Sequence, residues 1–213
     1  MAISSATAAF GSNPSPPGRR RLRITHTRPE IDPRAVREAA ADLLTALGLD
    51  LTDENLVETP RRMAQALIEM TSVPEFELTT FSNDEGYDEL VLVQDIPVQS
   101  LCEHHVLPFV GVAHVGYLPK GRIVGLSKLA RVVEHFARDL QVQEKLTEQI
   151  ANCLQEHLNP KGVGVVLEAE HSCMSLRGVQ KRGTLTVTSS LHGVIRDDPR
   201  TRQEFLSLVQ GSR

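Results

Sequence analysis

Two hydrophobic periods divide this chain, and the change between them near residue 87 constrains what it can fold into. Asp32-Pro33 supplies an N-cap and a proline at the first helical position. Val36, Ala39, Ala40, Leu43, Leu44 and Leu47 then recur at helical spacing, and Gly48 ends the run. Thr59-Pro60 repeats the start signal before a second stripe of Met63, Ala66, Leu67 and Met70, which Pro74 closes. Beyond residue 87 the pattern becomes β-branched and alternating, predicting strands over 90–98 and 110–118. Ser127 is placed to cap a helix with Leu129, Val132, Val133 and Phe136 on one face. A further helix follows, with Val142, Leu146, Ile150, Cys153 and Leu154 on one side. Strands over 163–169 and 184–190 and a helix over 199–209 complete the chain. Two helices, two strands, two helices, two strands and a helix make an α+β fold with an antiparallel sheet.

Composition narrows the class. Of 213 residues 40% are hydrophobic but only 4% aromatic, with no Trp, so the core is aliphatic. Three cysteines give no disulfide framework, and an odd count suits a reducing, cytoplasmic setting. No apolar run approaches the ~20 residues of a membrane span. The net charge is −4; the first 29 residues contribute five arginines and no acid, leaving the remainder at −9. An acidic body argues against nucleic acid as a partner, although cations focused in a cleft still attract a small anion. Residues 1–29, Ser/Ala-rich, then Pro/Gly-rich, then Arg-rich, read as a disordered tail without a secretory apolar core. Residues 30–75 read as a helical region and 76–213 as the main domain.

Chemistry concentrates in two clusters, Cys102-Glu103-His104-His105 and His171-Ser172-Cys173. Both follow predicted strands, so two strand-end loops can converge. Thiolates with an imidazole suit Zn²⁺, and three protein ligands leave a fourth corner for water. Cys102, His105 and Cys173 are the candidate ligands, leaving His104 and His171 as proton carriers. In extended backbone the adjacent His104 and His105 point to opposite sides. A purely structural metal is the competing reading.

Other segments admit two readings. Gly125-Leu126-Ser127-Lys128 with Arg131 is either a phosphate site at a helix N-terminus or an ordinary helix start with solvated cations. Arg177, Lys181 and Arg182 are further phosphate contacts or a solvated turn. Gln143-Glu144 is a favourable first turn, or an anchor for an amidine-like edge such as guanine. Cys153 reads as a small core hydrophobe. His114 and His192 read as structural or surface groups, and His26, His135 and His157 as tail or helix-face residues.

Cys102-Glu103-His104-His105, Gly116-Tyr117-Leu118-Pro119, Gly125-Leu126-Ser127-Lys128-Leu129, Gln141-Val142-Gln143-Glu144, His171-Ser172-Cys173-Met174 and Arg177-Gly178 together resemble GTP cyclohydrolase I of the zinc-dependent type, across about residues 32–210. The resemblance implies a tunnelling fold, an antiparallel four-stranded sheet with two helices on one face, plus N-terminal helices. It implies a homodecamer of two stacked pentamers with sites at subunit interfaces. The implied reaction takes GTP and water to 7,8-dihydroneopterin triphosphate and formate, the entry step to folate or tetrahydrobiopterin, by zinc-activated water attack on guanine C8. Cys102, His105 and Cys173 then stand as zinc ligands and His104 and His171 as the acid–base pair. Glu144 with Gln143 holds guanine, and Ser127, Lys128, Arg131, Arg177 and Arg62 contact triphosphate or ribose. The pattern departs at Gln65, where a basic residue is expected, and at Lys181-Arg182-Gly183, where Lys-Pro-Gly is expected. Two alternatives share these residues: a tunnelling-fold relative that reduces a deazaguanine nitrile with a cysteine nucleophile, and a non-catalytic module holding zinc.

Overall fold

A computed structural model describes residues 18–24, 29–73 and 75–211. The chain divides into two compact units, Thr27–Ser72 and a larger one made of Met1–His26 with Val73–Arg213.

The smaller unit pairs α1 (Pro33–Ala46) with α2 (Thr59–Thr71). The Asp32 side chain accepts from the backbone N–H of Arg34 and Ala35, the cap the sequence predicts. At α2 the cap position is Glu58 and no side chain caps it. Ala40, Leu44 and Ala64 are buried, whereas Leu43 and Leu47 of the same predicted stripe are exposed.

The larger unit centres on a sheet of β3 (Val91–Cys102), β4 (Pro108–Leu118), β7 (Gly162–His171) and β8 (Leu185–Gly193), all antiparallel neighbours. A two-residue strand, β6 (Leu140–Gln141), adds to the β3 edge in parallel, giving the order β6-β3-β4-β7-β8. Period two sends Phe109, Ala113, Val115 and Tyr117 of β4, with Val163, Val165, Leu167 and Ala169 of β7, to one face. That face buries Leu129, Val132 and Val133 of α3 (Leu126–Ala137) and Leu146, Ile150 and Leu154 of α4 (Gln143–Leu158). Each such side chain stabilises the fold by about 1.5–3 kcal/mol. Cys153 lies in this core as expected.

On the opposite face Phe205, from α7 (Pro199–Gln210), sits fully buried with Val166, Ile195 and Val209. Gly116 and Gly164 are register partners and form its socket: a Cβ on Gly164 would stand 2.7 Å from the Phe205 ring. Further along this face Val110, Leu185 and Val187 are exposed.

A second sheet corrects the expectation of a wholly disordered tail. β1 (Arg20–Ile24) pairs antiparallel with β2 (Phe76–Ser82), which pairs with β5 (Arg122–Val124). Leu22 and Ile24 alternate with arginines, and Ile24 is buried in the main core. Two apolar residues at period two are enough to seat a strand against Phe76 and Leu78, their register partners. Residues 1–17 and 25–28 of the expected tail lie outside the described residues, as do His26 and Pro74. No helix among the described residues is long and apolar enough to cross a membrane.

Candidate metal and substrate site

The first cluster folds as a tight turn between β3 and β4. The Cys102 carbonyl accepts from the N–H of His105 (3.3 Å) and Val106 (2.8 Å), and Cys102 N–H donates to Leu107 O (2.8 Å). Val106 has φ 55°, a left-handed conformation that β-branched residues rarely enter. The turn also corrects the expectation that His104 and His105 diverge from an extended backbone. Their Nδ1 atoms lie 3.8 and 3.9 Å from the same Cys102 Sγ. The edge is tied from outside by Glu103 N–H donating to Gln141 O (3.0 Å) and by Lys145 near Glu103 (3.6 Å).

The second cluster arrives on β7. His171 is its last residue, and α5 (Ser172–Ser175) turns the chain at once so that Cys173 folds back. Donor atoms of Cys102, His105 and Cys173 all lie within 4.8 Å of one another; His104 is not part of that mutual set. Metal–ligand bonds of about 2.0–2.3 Å at tetrahedral angles separate donors by roughly 3.3–3.8 Å, so two thiols and an imidazole at this spacing fit a divalent cation after small adjustments. Burial and the neighbouring Cys102 push the Cys173 thiol up, a repulsion that a bound cation reverses. Arg177 Nη1 comes within 3.4 Å of His105 Nε2.

His171 is held by a ring stack and a side-chain hydrogen bond. Its ring stacks on Phe109 at 4.6 Å and 12°, the consequence of their register pairing. Its Nε2 lies 2.7 Å from Gln143 Oε1. Gln143 Nε2 donates to the backbone carbonyls of Leu167 (3.0 Å) and Thr186 (2.9 Å) and to Thr188 Oγ1 (3.1 Å). Two carbonyls can only accept, so the amide orientation is fixed and Oε1 must accept from His171 Nε2–H. Nδ1 is therefore the nitrogen left to exchange a proton. Burial lowers the His171 pKa, with the Glu144 charge opposing.

Gln143, expected to touch substrate, is instead 1% exposed with both amide ends occupied inside the fold. It supports His171. Glu144, the next residue, is exposed in the first turn of α4. Spacing suggested neither the Phe109 stack nor the Gln143 brace, because the β4–β7 register and the α4–β8 contact join residues distant in sequence.

Ser127, Lys128 and Arg131 are not brought to the metal end. α3 begins beside β2, where Gly125 N–H donates to Thr79 O (3.2 Å). It runs toward β6, whose Gln141 neighbours Cys102. Its twelve residues put the two ends about 17 Å apart. Ser127 does not cap the helix: Gly125 holds the cap position without a side-chain bond, and Ser127 is exposed in the first turn. Arg62 lies exposed in the first turn of α2, in the smaller unit. Gln65 bonds Glu69 (2.6 Å), and Lys181 and Arg182 occupy an exposed turn. His135, expected on a solvated helix face, is buried edge-on to Phe76 and Phe136.

Fold and site define an α+β enzyme with a Cys–His–Cys set suited to a divalent cation and a braced histidine beside it. Residues 36–210 match the family model described as GTP cyclohydrolase I. The chain is 53% identical over 185 residues to GTP cyclohydrolase 1 of Synechococcus sp. (strain JA-2-3B'a(2-13)), covering 85% of this chain and 81% of that one. It is 51% identical over 181 residues to the Aquifex aeolicus protein of the same name (85% and 98%) and 48% over 201 residues to that of Dictyostelium discoideum (92% and 85%). The chain belongs to the GTP cyclohydrolase I family and is an enzyme of that type.

Proposed function

We propose that this enzyme converts GTP and water to 7,8-dihydroneopterin triphosphate and formate, at the head of folate or biopterin synthesis, with Cys102, His105 and Cys173 holding zinc. The observation that carries the reading is the convergence of those three donors, with His171 two residues before Cys173 in the chain. Zinc, when bound, supplies a water that ionises near neutral pH, with a pKa of about 7.

The chain's own groups supply the rest. As the imidazolium, His171 donates its Nδ1 proton to N7 of the guanine imidazole ring, which makes C8 electrophilic, while Gln143 and Phe109 keep the ring from turning. His104, exposed beside Cys102, carries protons between the site and solvent during C–N cleavage. Glu144 accepts from guanine N1–H and the exocyclic amine. Adenine would leave that carboxylate unpaired, and sites of this kind reject the wrong analogue by roughly 10⁴–10⁵. Arg177 adds a cation beside His105.

Ser127, Lys128, Arg131 and Arg62 bind ribose and triphosphate. The length of α3 favours their coming from another copy of the chain, in a decamer with zinc sites at subunit interfaces. The exposure of Val110, Leu185 and Val187 on the sheet, and of Leu43 and Leu47 on α1, supports such an assembly. Formate release and pterin fluorescence from GTP, measured before and after chelation, test the proposal. Turnover that disappears with the metal and returns with zinc is the expected result; full turnover by metal-free protein would overturn it.

A further inference from the structure

Cations gather at the start of α3 more densely than helix capping requires, and two of them come from a segment ahead of the residues matched by the family model. The register sets Arg21 of β1 opposite Thr79, whose carbonyl holds the N–H of Gly125 at the cap of α3. Arg19, just before β1, lies with its guanidinium 5.9 Å from the centre of the Phe81 ring. The Phe81 ring and Lys128 Cγ stand 3.9 and 3.6 Å from where a Gly125 Cβ would be. Arg19, Arg21, Lys128 and Arg131, one turn further on, therefore share one surface.

The grouping is repulsive. Burial lowers the Lys128 pKa first, then Arg131, with Arg19 and Arg21 acting in the same direction and Glu77 opposing. Glu77 is already paired with Arg21 (3.3 Å). Arg19 Nε is buried with no hydrogen-bond partner. Like charges so placed cost stability unless an anion with several charges settles among them. The neighbouring Arg122 is used differently. It donates to Thr80 Oγ1 (2.8 Å), Thr80 O (2.9 Å) and Gly18 O (2.9 Å), clamping the arm in register. Leu22 and Ile24 seat the same strand in the core. The arm is thus fixed by its apolar and backbone contacts; Arg19 is left without a hydrogen-bond partner at Nε, and Arg21 is tied only to the half-exposed Glu77, a pairing that a polyphosphate would compete with.

We propose that Arg19 and Arg21 extend the polyphosphate-binding surface of α3, gripping the triphosphate of the nucleotide together with Lys128 and Arg131. This rests on the reading of Lys128 and Arg131 as triphosphate contacts. The test uses zinc-loaded full-length enzyme carrying Arg19→Gln with Arg21→Gln, the single Arg19→Gln, the conservative Arg19→Lys with Arg21→Lys, and separately Lys128→Ala. KM and kcat for GTP and the affinity for inorganic tripolyphosphate are measured at low and high salt. The double glutamine variant should raise KM about tenfold, well beyond any fall in kcat, and weaken tripolyphosphate in parallel. Arg19→Gln alone, which leaves the strand's apolar contacts intact, should show part of the effect, and the lysine variant should recover most of it. If the glutamine variants leave KM and tripolyphosphate affinity unchanged while Lys128→Ala weakens both, the role of β1 is refuted and that of α3 stands. If Lys128→Ala also changes neither, both fall. A loss confined to kcat, or one that lysine does not restore, would make the arm structural and overturn the proposal.

Discussion

The two ends of α3 treat charge in opposite ways. At the metal end, polar groups are braced before any ligand arrives: Gln143 uses both ends of its amide, and His171 is stacked and hydrogen-bonded. At the other end, Lys128 sits among cations with one carboxylate, already paired, to offset them. Under the proposed function the contrast follows what each end would do. Proton transfer demands a fixed geometry, since a misplacement of about 1 Å can cost roughly 10²-fold in rate. A triphosphate keeps its charge throughout, so its site contributes binding and positioning, and unsatisfied cations serve that purpose.

The largest effect that can break this contrast lies at the ligands. Cys173→Ser or Cys102→Ser should remove both the metal, measured by elemental analysis, and formate release; full zinc retention in both variants would refute the ligand set. Gln143→Leu comes next. It should keep zinc and fold yet lower kcat by about 10²-fold with little change in KM, because the ring of His171 loses its brace. ¹⁵N spectra should show His171 no longer held as the Nε2–H tautomer. An unchanged tautomer and rate would mean that the Phe109 stack alone suffices. Salt sharpens the comparison more gently. Raising it from about 50 to 500 mM should raise KM for GTP several-fold and leave kcat nearly constant, since exposed cations are screened and a buried amide is not. A fall confined to kcat would reverse the assignment of the two ends.

The smallest effect concerns the third thiol. Burial pushes Cys153 up to about 12. In a Cys102→Ser, Cys173→Ser background, native protein should show no thiol reactive toward a disulfide reagent at pH 8 until it is unfolded. Rapid labelling of the folded variant would place Cys153 outside the core.

The sequence was most legible where a signal is local. Asp32-Pro33 marked the start of α1, and the stripes of α3 and α4 were visible as apolar periods. The candidate metal donors could be named because both clusters end strands, β3 and β7, that flank β4 and finish at the same end of the sheet. Signals that require pairing were not legible. β1 was hidden because its two apolar residues sit among arginines, and only Phe76 and Leu78 give them somewhere to go. The turn at the histidine pair has no sequence signal, because it depends on Val106 adopting a left-handed conformation that β-branched residues rarely take. The bracing role of Gln143 was not legible because neither the carbonyls of Leu167 and Thr186 nor His171 is near it in sequence.

The coordination shell is the most direct test of the account. X-ray absorption at the zinc edge of the purified enzyme should show two sulfurs at about 2.3 Å and two lighter donors at about 2.0–2.1 Å, one of them exchangeable water. A shell with fewer than two sulfurs, or one closed by four protein donors, would contradict it.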